Sequence, residues 1–538
     1  MPKPRAPGGE TASAPAAPGL LHPSVIEHLP LTPAADTAHD GEADVLVIGG
    51  GPSGSVAARL LASWGHRVCL VARPVDPSRA LANSLPPSTR SLLRQTGTLD
   101  IVERIGMPTH GNTVWWGARE GDVQPFASGD QAHGFQIDRA RLDPALLDAA
   151  GQAGVCVTAG RVGRVDRDGP AALVRYDRNG EPRACRAQIV VDASGRAGVL
   201  AQPLGLRRHI RGGQMQALVG VWHRSGAWPI AHPTHTLIET CDEGWAWSIG
   251  TSMDERHVGI MVDGATSRLT RRGTLAETYL AQLTLTGHLA AHAVGATLIR
   301  VFACDASVYT ARSHADGHVL LVGDSGSTLN PLSSFGIKKA LASAWLGAVT
   351  AHTMLVAPSR ADVARTFFSD WSARAWQANL ARSREFAIEA ARTHDSVFWR
   401  AQAGVPVDAA MLPLDERALL DGPDVHAALM SLRTHDRIVL TPGPALTRTS
   451  APLVRGREVV VEDALVLGST SRDVARYLCG IDLVAVSTMA PTCVSVPSLF
   501  EEYVRRHGPV PLPEFLRVLS CLLARRMLVA TPLAAAGR

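Results

Sequence analysis

Apolar positions near the start of the ordered-looking chain change rhythm three times within about thirty residues. Ala43–Ile48 is a short continuous apolar run, which suits a buried strand. Ser53–Trp64 then spaces Val56, Ala57, Leu60 and Leu61 along one helical face, and His66–Val71 is short and apolar again. Strand, turn, helix and a second parallel strand are predicted. Further on, Arg141–Ala150 reads as a helix, and Ile189-Val190-Val191-Asp192-Ala193-Ser194-Gly195-Arg196 as a strand entering a turn of small residues. Val319–Val322 is another strand run. Near the C-terminus the pattern predicts a strand over Val459–Val466, helical turns over Arg472–Leu478, helices over Pro497–Arg506 and Leu512–Arg526, and a strand over Met527–Ala530. No internal repeat is visible.

Two glycine-bearing loops follow strands in this pattern, about 270 residues apart. The first is Gly49-Gly50-Gly51-Pro52-Ser53-Gly54, between the first strand and the first helix. Gly49, Gly51 and Gly54 permit a tight turn and close backbone approach, and the helix start at Ser53 points amides and a dipole at an anion, as for a dinucleotide pyrophosphate. The second loop, Gly323-Asp324-Ser325-Gly326, leads into Asn330-Pro331-Leu332-Ser333-Ser334-Phe335-Gly336 and reads as closure of the same cofactor from its other end. The acid that usually ends the second strand and accepts from the ribose is missing, because Ala72 stands there. Either Asp76 substitutes from the following loop, or the ribose is held less tightly.

At 538 residues the chain is long enough for two to four domains. A formal charge of +4 is too small at this size to mark a nucleic-acid partner. The eight cysteines show neither C-x-x-C pairs nor metal-ligand spacing, which suits reduced thiols in a cytoplasm, and no metal site is expected. No apolar run reaches the roughly 18 residues of a membrane span. The expected domains are a disordered proline- and alanine-rich lead over 1–40, a large α/β unit over 41–400, a connection over 401–451 and a C-terminal module over 452–538.

With Gly134-Phe135-Gln136-Ile137-Asp138-Arg139 and the Asp192–Gly195 turn added, the chain over about 43–400 resembles the glutathione-reductase-type flavoproteins that include aromatic hydroxylases, flavin-dependent halogenases and geranylgeranyl reductases. The resemblance implies FAD in a Rossmann-like α/β domain with an inserted β-sheet substrate domain. It implies that Asp324 contacts the ribityl chain, that Pro331, Gly336 and Ile337 line the flavin ring, and that Arg139, Asp192 and Gly195 belong to the cofactor site. The C-terminal strands and helices suggest a winged-helix-like module. Such a module can dock a peptide or merely pack.

Gly244-Trp245-Ala246-Trp247-Ser248-Ile249-Gly250 is similar to the W-x-W-x-I-P motif of tryptophan halogenases, with Gly250 in place of proline. Those enzymes carry a lysine after the first helix, whereas the lysines here are Lys3, Lys338 and Lys339. The segments Asn83–Ser88 and Asn330–Trp345 are closer to hydroxylases that mature tryptophan-derived quinone cofactors. That resemblance implies hydroxylation of an electron-rich ring, a tryptophan of a peptide or protein included, through a flavin C4a-hydroperoxide. Trp115, Trp245 and Trp247 are candidates to line the substrate cleft, with core packing as the alternative. His110 and His133 are candidate bases, with ordinary hydrogen-bonded histidines as the alternative. Electrons come from NAD(P)H visiting the flavin or from a separate flavin reductase. Isoprenoid or alkene reduction, halogenation without the usual lysine, and a non-enzymatic interaction role are the competing readings.

Overall fold

In the computed structural model, which describes residues 41–532 apart from 75, 118–119, 128–131, 170, 211–212, 265–272, 334, 434–437 and 469–472, the first apolar run forms the strand Glu42–Ile48. The lead 1–40 lies outside the described residues. Glu42–Ile48 pairs in parallel with Val68–Ala72 on one side and Glu181–Asp192 on the other. Cys156–Ala159 and Val319–Leu321 extend this parallel array at its two sides. Ile48, Asp192 and Leu321 are register partners across three adjacent strands. The loops beginning at 49, 193 and 322 therefore leave one sheet edge at the same level, where open α/β sheets bind ligands.

Those strands are Val-, Leu- and Ile-rich because both faces are covered. Val45, Leu46, Val47, Leu70, Val190 and Val191 are wholly buried. The first helix, Pro52–Ser63, begins with proline at a position where its missing N–H costs nothing. Val56, Ala57 and Leu61 along it are at most 1% exposed.

A second sheet of seven strands runs in the order Thr297–Asp305, Gln216–His223, Glu255–Val262, Gly244–Gly250, Thr236–Cys241, Gly111–Trp115 and Asp122–Pro125. Its pairs are antiparallel except that Thr236–Cys241 and Gly111–Trp115 run parallel. Alternation sorts its residues into two cores. Val114, Val219, Ile238, Trp245 and Met261 pack with Trp376, Phe398 and Trp399. Leu218, Leu237, Ala246 and Ile260 pack on the other face with Tyr279, Leu283 and Leu289. This is the expected inserted β-sheet domain beside a Rossmann-like domain.

These sheets belong to a unit comprising 41–355 and 368–411 among the described residues. A second unit comprises 356–367 and 412–532. Its core includes Leu419, Leu420, Val425, Ile438 and Leu440 beside Leu499, Phe515 and Leu519. Leu419, Leu420, Val425, Ile438 and Leu440 thus belong to the second unit's core, which corrects the expected role of 401–451 as a connection and moves the module's start well before 452. The hairpin Arg448–Arg455/Glu458–Val466 and the helices Leu483–Met489, Val496–His507 and Leu512–Ala524 complete it, with Leu528–Pro532 pairing to Ile438–Pro442. The helical turns expected over Arg472–Leu478 are instead the short strands Val474–Ala475 and Tyr477–Leu478. The first pairs with the end of the hairpin and the second with Ile481–Asp482, so local pairing overrides the apolar spacing. Among the described residues no helix is long and apolar enough to cross a membrane.

Candidate functional site

The turn after Glu42–Ile48 is built so tightly that two of its glycines have no substitute. Gly49 has φ +109°, and a Cβ there would stand 2.4 Å from the Ala193 carbonyl oxygen. A Cβ on Gly54 would stand 1.9 Å from the Gly49 carbonyl oxygen. Gly51 differs, because the nearest atom to its Cβ position is Arg139 Nη2 at 3.7 Å. Gly51, Pro52 and Ser53 line a cavity together with Arg139, Gly195, Asp324, Pro331, Gly336 and Ile337. Residues from both glycine loops and from two intervening segments thus meet in one cleft.

Arg139 opens the helix Arg139–Gln152 and is gripped by Asp143 one turn later, with Nε–Oδ1 and Nη2–Oδ2 distances of 2.5 and 2.6 Å. Burial opposes its charge, yet Asp143 and then Asp324 outweigh that and raise its pKa further. Asp192, expected at the cofactor, is instead fully buried beneath its turn. Its carboxylate accepts from Ser194 N at 2.9 Å, Ser194 Oγ at 2.5 Å and Leu200 N at 2.8 Å. It shapes the loop that presents Gly195 and Arg196 and does not itself line the cavity. Asp76, the alternative to the missing ribose acid, is turned to its own loop. Its carboxylate accepts from Ser78 N and Oγ at 3.0 and 2.6 Å, and it is not a lining residue.

The second loop is fastened from several sides. Tyr309 donates its hydroxyl to Asp324 O at 2.7 Å, and Ser325 Oγ donates to Asp192 O. Gly323 has φ +63° with Ser53 Oγ 2.4 Å from where a Cβ would lie, so the two loops touch. Asp324 pairs with Lys339 Nζ at 2.9 Å. Burial alone would raise the Asp324 pKa, but Lys339, Arg196 and Arg139 hold it below the usual carboxylate range. After Pro331–Ser333 the helix Gly336–Val356 begins, and its first residue lines the cavity.

The opposite wall comes from the second sheet. Trp245, Trp247 and Ile249 alternate along Gly244–Gly250 and share the cavity face with Thr236, Ile238 and Ala217. Trp115 is not part of this wall. It lies on the reverse face of its strand and stacks on His288, with ring centroids 4.4 Å apart. The expected bases also fall outside the lining. His110 Nδ1 is 3.2 Å from Thr234 Oγ1, and His133 Nε2 is 3.2 Å from Arg90 Nη1. Burial first, then Arg90 and His110, lowers the pKa of His133. Each ring thus has a polar side chain beside it, Thr234 for His110 and Arg90 for His133.

Arg196 and Asn83, which the sequence patterns gave no site role, join Trp245 in completing the cleft. Arg196 donates to Ser307 O at 2.9 Å and lines it, and its place next to Gly195 in the turn was the available signal. Asn83 and Trp245 both line it, and Asn83 Oδ1 and Trp245 Nε1 are buried without a hydrogen-bond partner. A Cβ at Gly195 or Gly336 would meet nothing within 4 Å. Tight glycines in the turns, open glycines at the cavity, and unsatisfied polar atoms in its wall fit a large flat ligand with a charged tail, as FAD is.

Comparisons with known proteins agree with this geometry. The tryptophan 2-halogenase of Chondromyces crocatus is 27% identical over 401 residues, covering 72% of this chain and 75% of that protein. The structure of CmlS, a flavin-dependent halogenase, superposes with a TM-score of 0.73 at 21% identity, covering 93% of this chain and 99% of that one. QhpG, a peptidyl tryptophan dihydroxylase essential for tryptophylquinone cofactor biogenesis, superposes with a TM-score of 0.64 at 23% identity, covering 91% and 100%. At these identities the two structures establish the shared fold. Residues 42–348 match the FAD binding domain family over more than half of the chain, so the protein belongs to that family and is an FAD-dependent oxidoreductase.

Proposed function

We propose that the protein is a flavin monooxygenase that hydroxylates an electron-rich aromatic ring, with a tryptophan side chain in a peptide or protein as the substrate class. The observation that carries this reading is the cavity wall of Trp245, Trp247 and Ile249 facing the two glycine loops, with no lysine among the lining residues described. The two nearby amines are committed elsewhere. Lys338 Nζ donates to Ser88 Oγ at 2.9 Å, and Lys339 Nζ is held by Asp324 and two loop carbonyls. A halogen-transferring amine would need to stand free at the ring.

Bound FAD supplies an electrophilic oxygen atom derived from dioxygen once its ring is reduced. The start of helix Pro52–Ser63 would hold the pyrophosphate through its amides and dipole, and Arg139 would add a cation beside Gly51. Asp324 would accept from the cofactor's polyol. The start of helix Gly336–Val356 would aim a positive dipole end at the flavin ring edge, beside Pro331 and Ile337. Trp245 and Trp247 would hold a planar ring and keep water from the reacting face. Reducing equivalents come from NAD(P)H visiting the flavin or from a flavin reductase.

The test is to load the protein with FAD, reduce it anaerobically, and add isotope-labelled dioxygen with a tryptophan-containing peptide. Label in the product by mass spectrometry supports hydroxylation. A chlorine or bromine isotope doublet without added oxygen, in the presence of halide, supports the second reading of halogenation, which the relationship to the Chondromyces protein favours. A peptide docked by the C-terminal module would raise the apparent affinity of the full chain over that for free tryptophan.

A further inference from the structure

Lys339 lies in the first turn of the helix Gly336–Val356, and its ammonium is turned back into the second glycine loop. Nζ is 2.9 Å from Asp324 Oδ1 and 3.1 Å from Gly323 O, and it also bonds Ser327 O. The three acceptors match the three N–H donors of an ammonium. The side chain is only 10% exposed, whereas that of Asp324 is 41% exposed and opens into the cavity. A surface lysine would spread its donors into water. This one spends them all on five consecutive residues of chain. The neighbouring Lys338 turns to Ser88, so the arrangement belongs to Lys339 and not to the basic pair as such.

The charge matters as much as the bonds. A dinucleotide brings two negative phosphates into a cleft whose own carboxylate, Asp324, opens into the cavity. Arg139 and Arg196 lie near enough to bias Asp324, but Arg139 is already gripped by Asp143 and Arg196 by Ser307 O. Lys339 makes the direct ion pair.

We propose that Lys339 is a positioning residue for the cofactor: it fixes Asp324 through one oxygen and cancels that carboxylate's charge where an anionic dinucleotide enters. The proposal rests on the FAD reading above. The protein can therefore place a carboxylate at the polyol without repelling the phosphates, because the neutralising cation is carried by the helix that follows the loop.

The test uses FAD fluorescence titration of the full chain, which reads affinity independently of turnover. Lys339→Met is expected to weaken FAD binding at least about tenfold. Adding Asp324→Asn to Lys339→Met is expected to recover most of the loss, because the uncompensated charge is then gone. Lys339→Gln keeps two donors for the loop without the charge, so it serves where the methionine variant does not fold, and it too is expected to bind FAD weakly. Wild-type affinity in a folded Met or Gln variant overturns the proposal. So does a double variant that binds no better than Lys339→Met, since the loss would then come from loop bonds alone. A wild-type protein that takes up no FAD would instead refute the cofactor reading itself.

Discussion

The indole of Trp247 lies across the backbone of Gly259, its register partner on the next strand, where a Cβ would stand 2.0 Å from ring atom Cζ2. The glycine is therefore a seat for the tryptophan, and the seat sets how far the ring projects into the cavity. Gly259→Ala is expected to lift the ring into the cavity and cost about 1–3 kcal/mol through overpacking. Denaturant midpoints check the stability loss, and quenching of flavin fluorescence by indole checks ligand access. Trp247→Ala added to Gly259→Ala is expected to restore stability toward that of Trp247→Ala alone. No recovery would show that the clash lies elsewhere.

Gly336 offers the opposite case. Nothing lies within 4 Å of its Cβ position, and it begins a helix, so alanine fits the protein at no packing cost. Helix propensity alone makes Gly336→Ala neutral or up to ~1 kcal/mol more stable as apoprotein. If the flavin ring packs against this residue, the same methyl intrudes on the cofactor. The expected outcome is an unchanged or raised melting temperature without FAD and weaker FAD retention on a desalting column. Equal retention would remove Gly336 from the ring site.

His314 is 2% exposed, and burial first, then the charge of Lys339, lowers its pKa from 6.5 to about 3. The unfolded chain binds that proton near pH 6.5 and the native protein refuses it until about pH 3. Above pH 6.5 both states are neutral and the full stability is present. As pH falls below 6.5 the unfolded state gains a proton that the native state lacks, so stability drops by up to ~1.4 kcal/mol per unit. About 2–3 kcal/mol should be lost by pH 4.5 through this residue. Urea midpoints of wild type and His314→Gln between pH 7 and pH 4.5 measure it. Parallel curves for the two proteins would contradict it.

His110 and His133 fall outside the cavity lining, so neither is placed to take a proton from a ring held against Trp245 and Trp247. Removing a true general base costs ~10²–10⁴-fold in rate. His110→Ala and His133→Ala are each expected to lower kcat by far less, read with a substrate that gains oxygen. A loss in the full range for either residue would return it to the catalytic list.

The glycine loops were legible because a turn needing positive φ or near-contact of backbones leaves a direct mark on residue choice. Gly49, Gly54 and Gly323 show that mark in the structure. The tryptophans were legible only in part. Alternation says that Trp245 and Trp247 share a face, but which face meets the cavity depends on strands 216–223 and 255–262, far away in the chain. Trp115 lies on the reverse face for that reason, since its strand has apolar packing on both sides. Asp192 poses a different problem. An acid beside a small-residue turn can serve a ligand or the turn, and only the bonds to Ser194 and Leu200 decide between them. The role of Lys339 leaves no mark in the sequence, because its pairing with Asp324 requires the loop to fold back on the helix start. In the second unit, Tyr477-Leu478 went to a strand because Ile481–Asp482 was at hand to pair with it.

The end of the second strand has a consequence for how the protein keeps its cofactor. Ala72 is buried, and its Cβ lies 2.9 Å from where a Cβ of Gly50 would be, so the position normally held by a ribose-binding acid is packed against the turn. Giving up a charge-assisted pair of that kind forgoes ~1.5–3 kcal/mol of anchoring, roughly a ten- to hundredfold difference in affinity. The adenosine ribose would then lack a carboxylate at this strand end, and the pyrophosphate and flavin contacts would carry the grip. Such a protein should shed FAD on dilution and refill from a free pool, so the fraction that is active in a cell would follow the cell's supply of the cofactor.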